Sequence, residues 1–211
     1  MSRHSAEVAT SHMPHLYDAA TLDFYEGNAR PYSNARPDEV SSDLLAFLPK
    51  LKAGSRILEL GCGSGCDAAE MLRLGFDVDA TDGTQAMVSL ASERLGRPVR
   101  VLRFDNLDER ESYDAVVACA SLLHVPHEGL PAILTRIWDS LKPGGWHFAS
   151  YKTAGSEGWD AHRRYYNHLS RDVAERIYRK AGNWTSVEYD EYDGVGHFSA
   201  PSRWLTVAAK K

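Results

Sequence analysis

The stretch ILELGCGSG, residues 57 to 65, decides the fold: a short apolar run containing Glu59 and Leu60 passes directly into a turn with glycines at 61, 63 and 65. A phosphate-cradling P-loop would need a lysine soon after its last glycine, and none follows Gly65 before position 142. A dinucleotide fingerprint would want glycine at 61, 63 and 66, but the last place is Cys66, and the Glu59 carboxylate sits poorly beside a pyrophosphate. The same acid suits a cation. A ligand carrying ammonium and sulfonium groups on an adenosine is attracted by carboxylates that repel a dinucleotide, and glycines at 61 and 63 let the backbone approach it closely.

Working outward, short apolar or β-branched runs at about 55–60, 76–81, 99–104, 113–119 and 145–151 alternate with helical patterns. This is the wound βαβ arrangement of a parallel sheet. The clearest helix is 130–141, where Leu130, Ile133, Leu134, Ile137, Trp138 and Leu141 follow the helical period until KPGG stops it. Upstream, Val40, Leu44, Leu45 and Leu48 form one stripe of a helix started by Pro37. Ser170 is placed to cap a last helix that Gly182 ends. TSVEYDEY and RWLTVAA then follow with no helix between them, which predicts an antiparallel hairpin at one sheet edge.

The chain has 211 residues, 43% of them hydrophobic and 25% charged, enough for one core and one domain. A net charge of −5 supplies no broad basic field for nucleic acid or an anionic membrane. No apolar run approaches the roughly 20 residues of a membrane span, the first residues lack a signal-peptide core, and three cysteines fit a reducing compartment. The expectation is a soluble cytoplasmic protein, monomer or homodimer, that handles a small molecule. Residues 1–15 are expected to be a mobile tail, and 16–211 the folded domain.

Two more acids stand at predicted strand ends. Asp82 lies 21 residues after Gly61, where a carboxylate can accept ribose hydroxyls, and Asp105 with Asn106 is placed to fix an adenine edge, with Met87 as a polarizable face. Each alone reads as a loop carboxylate; in series they point to one crevice.

ILELGCGSG, DATDGTQAM, RFDNLDE, YDAVVACASLLHVP and LKPGG resemble the successive motifs of class I S-adenosylmethionine-dependent methyltransferases. CASLLHVP with YKTAGSEGWDAHRRYY further resembles a bacterial small-molecule subgroup labelled tellurite-resistance-like, which tends to have glycine where this chain has Arg163. The resemblance implies an α/β single-domain, doubly wound, Rossmann-like sheet of seven strands, ordered 3-2-1-4-5-7-6 and mostly parallel, with an antiparallel C-terminal hairpin. It implies S-adenosyl-L-methionine as cofactor, with Glu59, Gly61, Cys62 and Gly63 at the methionine part, Asp82 and Gly83 at the ribose, and Asp105, Asn106 and Met87 at the adenine. Cys119 and Ala120 would offer backbone oxygen to the amine.

Methyl transfer is an in-line displacement, so positioning and desolvation carry much of it. His124, after the fourth strand, is read either as a base facing the methyl or as a histidine packing its loop; His127 is expected to be solvent-exposed. The stretch 153–170 is too long for a minimal connection and reads as a lid, together with the N-terminal helices expected within 16–50. In it Arg164 is read as a two-point anion binder with Tyr165 and Tyr166 as an aromatic wall, completed by Tyr25 and Tyr32, or else as cover for a core edge. No ligand set for a metal is found, and Cys62 and Cys66 read as packing residues. Two competing readings stay open: a nicotinamide-dependent oxidoreductase, disfavoured by Glu59 and Cys66, and a non-catalytic module that binds S-adenosylmethionine.

Overall fold

A computed structural model describes residues 16–35, 40–196 and 201–211; the expected tail at 1–15 and the helix start at Pro37 lie outside the described residues. The chain runs α1 (Ala19–Asn34), α2 (Ser42–Phe47), β1 (Arg56–Leu60), α3 (Cys66–Arg73), β2 (Asp77–Asp82), α4 (Gln85–Leu95), β3 (Arg100–Val101), β4 (Tyr113–Ala118), α5 (Leu130–Ser140) and β5 (Leu141–Lys152). It continues through β6 (Gly158–Trp159), β7 (Tyr165–Tyr166), α6 (Arg171–Ala181), β8 (Ser186–Val195) and β9 (Pro201–Lys210). Seven strands form one sheet in the order β3-β2-β1-β4-β5-β9-β8. The pairs from β3 to β5 are parallel, and β9 lies antiparallel between β5 and β8. The terminal hairpin therefore occupies the sheet edge, and the strand order is the one the resemblance implies.

Alternation along each strand explains the layers, since successive side chains point to opposite faces. Ile57, Ala115, Val117, Phe148 and Ala208 pack on one side with Leu44, Phe47, Ala68, Met71 and Ala91 of α2, α3 and α4. Leu58, Leu60, Val116, Ala118, Ala149 and Val207 pack on the other with Leu130, Ile133, Leu134 and Ile137 of α5 and Ala174, Ile177 and Tyr178 of α6. Both faces of the central strands are thus covered, as a parallel sheet requires. Burying each of these larger aliphatic side chains contributes roughly 1.5–3 kcal/mol.

Several boundaries differ from the sequence reading for local reasons. α2 begins only at Ser42, because the Ser41 hydroxyl accepts from the Leu44 amide; Val40 precedes the helix and Leu45 is exposed, so the expected stripe reduces to Leu44 and Leu48. The third strand is two residues long and gives way to a 3-10 turn at Phe104–Asn106, so Asp105 does not end a strand. Leu141 leaves α5 in extended conformation and joins β5, and KPGG forms a register shift between the pairs Tyr113–Leu141 and Ala115–Trp146. Ser170 holds the N-cap position of α6 without a side-chain hydrogen bond. The 153–170 segment is not an open loop, since it contains the small β6-β7 ribbon. α1 kinks at Asn28 because Pro31 lacks an amide and its ring crowds the carbonyl four residues earlier. Tyr25 and Tyr32 lie on either side of this kink, with ring centroids 5.1 Å apart.

Candidate active site

At the carboxyl edge of β1 the chain turns sharply. The amides of Gly61 and Cys62 both donate to the Thr81 carbonyl, at 2.9 and 2.8 Å, and Gly61 has φ +76°. A Cβ on Gly61 would lie 2.5 Å from Ser121 Cβ, so this glycine admits the loop after β4, whose Ser121 hydroxyl donates to the Leu60 carbonyl at 2.6 Å. Gly63 differs, since a Cβ there would meet no atom within 4 Å and would stand in open space. Asp82 ties the turn down. Its carboxylate accepts from the Gly63 amide, the Thr84 amide and the Thr84 hydroxyl, each at 3.0 Å. Burial raises its pKa, and these hydrogen bonds oppose the rise.

Gly61, Gly63, Asp82, Gly83, Met87, Cys119 and Ala120 line one cleft with Arg103, Phe104 and Ser121, and the first turns of α1 roof it through Tyr17, Asp18, Thr21, Leu22 and Tyr25. Glu59 and Cys62 are buried beneath the turn and do not line the cleft. Burial, then the charges of Glu59 and Asp82, push the Cys62 thiol well up, so it is an inert packing group; none of the three cysteines is in a disulfide. Asp105 and Asn106 are also absent from the described lining. Asp105 pairs with Arg103 at 3.1 Å, and the ring of Phe104 faces the cleft in their place.

A second cavity of about 390 Å3 adjoins the first and shares Tyr25, Tyr32, Cys119, Ala120 and His124 with it. Its remaining wall includes Asp43, Ser150, Lys152, Tyr166, Tyr192 and Trp204. Ala120, at the boundary, has φ +48°, and its amide is held by the Ser150 hydroxyl at 2.8 Å. A non-glycine residue in this strained region signals a backbone shape fixed by its surroundings.

His124 sits in a 3-10 turn at Leu122–His124, which buried Asn167 clamps: its amide donates to the Leu123 carbonyl at 2.8 Å, and its side chain donates to the carbonyls of Leu122 and Val125 at 3.0 Å. Nδ1 of His124 meets the Tyr165 carbonyl, which only accepts, so Nδ1 carries the proton and Nε2 accepts from the Tyr25 hydroxyl at 3.0 Å. Burial lowers the pKa of His124 to about 4, so the ring is neutral at pH 7. The circuit closes through α1. The Tyr165 amide donates to the Thr21 hydroxyl at 2.8 Å, and that hydroxyl donates to N-cap Asp18 at 2.7 Å. α1, β7 and the loop after β4 are thereby one hydrogen-bonded unit.

Arg164 departs from its expected role. It is 4% exposed, and its Nε and Nη2 donate to one oxygen of Asp160 at 2.9 and 2.7 Å, so the edge expected to hold an anion is taken. Its guanidinium lies 5.1 Å from the Phe24 ring, 5.8 Å from Tyr32 and 5.5 Å from Tyr166, which anchors α1 onto the β6-β7 segment. Arg163 adopts φ +60°, a conformation that favours glycine. Tyr166 lines the second cavity, whereas Tyr165 turns its hydroxyl to Glu157 and lines neither. His127 is not free in solvent, since Nδ1 lies 3.0 Å from Glu157. Among the described residues no three potential ligands group to hold a metal.

Residues 32–203 match the model of a family described as a methyltransferase domain. Over 111 residues the chain is 32% identical to a ubiquinone biosynthesis O-methyltransferase of Paramagnetospirillum magneticum, covering 50% of this chain and 44% of that one. It spans about half the length of the curated relatives it matches. Haemonchus contortus phosphoethanolamine N-methyltransferase 2, solved with phosphomonomethylethanolamine and S-adenosylhomocysteine, superposes with a TM-score of 0.72 at 18% identity, covering 92% of this chain and 60% of that one. Burkholderia thailandensis 1,6-didemethyltoxoflavin-N1-methyltransferase superposes with a TM-score of 0.64 at 24% identity, covering 88% and 79%. At these identities the two superpositions speak for the fold. The family match covers most of the chain, and the chain belongs to the methyltransferase domain family.

Proposed function

We propose that this family member transfers a methyl group from S-adenosylmethionine to a small-molecule acceptor, with the cofactor in the first cleft and the acceptor in the second. The observation that carries this reading is the boundary the two cavities share at Tyr25, Ala120 and His124. A methyl donor in one and a nucleophile in the other would meet there in line, screened from water. The residues fit the cofactor by three features. Gly63 leaves an open backbone cradle, Asp82 offers an oxygen that takes one hydrogen bond and has a lone pair to spare for a ribose hydroxyl, and Phe104 with Met87 offers apolar faces for a purine. S-adenosylmethionine would supply the electrophilic methyl.

The chain's own contribution is a relay. Tyr25 hands its hydroxyl proton to His124 Nε2 as its oxygen takes the proton leaving the acceptor, so the base acts through Tyr25 and no net charge is stranded on the tyrosine. Backbone oxygens of Cys119 and Ala120 would receive the cofactor's amine. α1 and the β6-β7 segment serve as the cover, held shut by the circuit from Asp18 to His124. The narrower likeness to the tellurite-resistance-like subgroup rests on residues of this second wall, and no metalloid step is part of the reading.

Calorimetry with S-adenosylmethionine, S-adenosylhomocysteine and NAD, followed by transfer of a labelled methyl into a metabolite pool, tests it. Binding of the first two without NAD, and label in a small molecule, is the expected result. Preference for NAD would support the oxidoreductase reading, and tight binding without transfer would support a non-catalytic module.

A further inference from the structure

The second cavity contains a cation, Lys152, that has no counterion among the described residues. Lys152, at the end of β5, is half-buried, and its ammonium lies 4.7 Å from the Tyr166 ring centroid and 5.9 Å from that of Trp204. Among the described residues no carboxylate comes within ion-pair distance of it. The nearby charges do not supply one. Asp160 is already bound by Arg164, whose own Nη1 is buried with no hydrogen-bond partner among the described residues. Asp43, which lines the cavity, is bound by the Tyr192 hydroxyl. Two cations, Lys152 and Arg164, therefore lie near the Tyr166 ring, and the carboxylate of Asp160 is paired with Arg164. Burial and the repulsion of Arg164 lower the Lys152 pKa, which is the cost of holding this charge without a partner.

Resting on the methyltransferase reading above, we infer that Lys152 is the specificity residue of the acceptor chamber and that the acceptor carries an anionic group, a carboxylate or a phosphate, which Lys152 binds. A charge at a partly desolvated wall is worth far more to an anion than to a neutral isostere, because the ammonium is otherwise left unpaired. The rings of Tyr166 and Trp204 lie beside the ammonium at the wall of the cavity, and Ser150, two residues earlier on β5, lines the same cavity. The nucleophilic end of such an acceptor then points toward Tyr25 and His124, at the boundary shared with the first cavity.

The test uses the whole chain, with and without saturating S-adenosylhomocysteine, titrated with benzoate, phenyl phosphate and benzyl alcohol as probes. Wild-type protein is expected to bind one of the two anions roughly ten-fold or more tightly than the alcohol, and which anion wins separates a carboxylate from a phosphate acceptor. Lys152→Met, which keeps the apolar stem, is expected to lose that preference, and Lys152→Arg to keep it. Equal binding of all three probes by the wild type, or a preference retained in Lys152→Met, would overturn the inference. So would weakened S-adenosylhomocysteine binding in Lys152→Met, since the lysine would then hold the cofactor. Absence of S-adenosylhomocysteine binding in the wild type is a separate outcome, one that refutes the methyltransferase reading while the anion preference is still read from the cofactor-free titrations.

Discussion

The two cavities are built by different means. The first has as its floor the turns at the ends of β1, β2 and β4, where Gly61, Gly63, Asp82 and Ala120 hold positions set by the sheet itself. The second is made of side chains from α1, β5, the β6-β7 segment and β9, brought together from distant parts of the sequence, as Lys152 and Trp204 are by the pairing of β5 with β9. A frame of strand ends suits a cofactor that many chains share, whereas a wall of side chains can change its chemistry without disturbing the sheet.

The largest effect should come from the boundary. Tyr25→Phe removes one hydroxyl and leaves the ring in place, so turnover should fall about 100-fold, as expected for loss of a positioned proton carrier, while S-adenosylhomocysteine affinity stays within about three-fold. Steady-state kinetics beside calorimetry would read both, and an unchanged kcat would remove the relay. A scaffold effect should be nearly as large. Gly61→Ala places a Cβ against Ser121 in a backbone conformation that favours glycine, and should lower stability by about 3 kcal/mol in urea unfolding. Gly63→Ala, with open space around it, should lose only about 1 kcal/mol, the strain of its positive φ. Equal losses at the two positions would mean that the cleft is not frame on one side and space on the other.

Acid should weaken both regions together. His147, in the core, meets the Val116 carbonyl through Nδ1 and the Tyr178 hydroxyl through Nε2. Burial lowers its pKa to about 4, as it does for His124. The unfolded chain, with a histidine pKa near 6.5, then binds more protons than the folded one between pH 6.5 and 4. Stability present at neutral pH should therefore fall as pH drops through that window, by about 2 kcal/mol per histidine. Unfolding measured at pH 7 and pH 4.5 would show it, and a flat profile would mean that neither ring stays neutral in the folded state.

The frame was readable from sequence because its signals are local. Glycines at 61 and 63, Asp82 at the next strand end and the 3.6-residue period of 130–140 each report a conformation within a few residues of themselves. The second wall was read only in part. Tyr25, Tyr32, Tyr166 and His124 line the second cavity together, but Arg164 is held by Asp160, whose Oδ1 also accepts the His162 and Arg164 amides. The spacing from Asp160 to Arg164 was visible, but nothing in a polar stretch says that a turn will fold it shut. Asn167 was missed because its carbonyl partners lie over 40 residues away, and Lys152 because its lack of a carboxylate partner among the described residues shows only in three dimensions. Asp105 was misplaced by a strand that stops at Val101, which turns Phe104 toward the cleft.

The most direct test of this division is the crystal structure of the chain with S-adenosylhomocysteine bound. The ligand should lie in the first cleft, its ribose at Asp82, its purine beside Phe104 and its sulfur facing Tyr25 and His124, with Lys152 untouched. A ligand lodged instead in the second cavity, or contacting Lys152, would contradict the assignment of the two cavities.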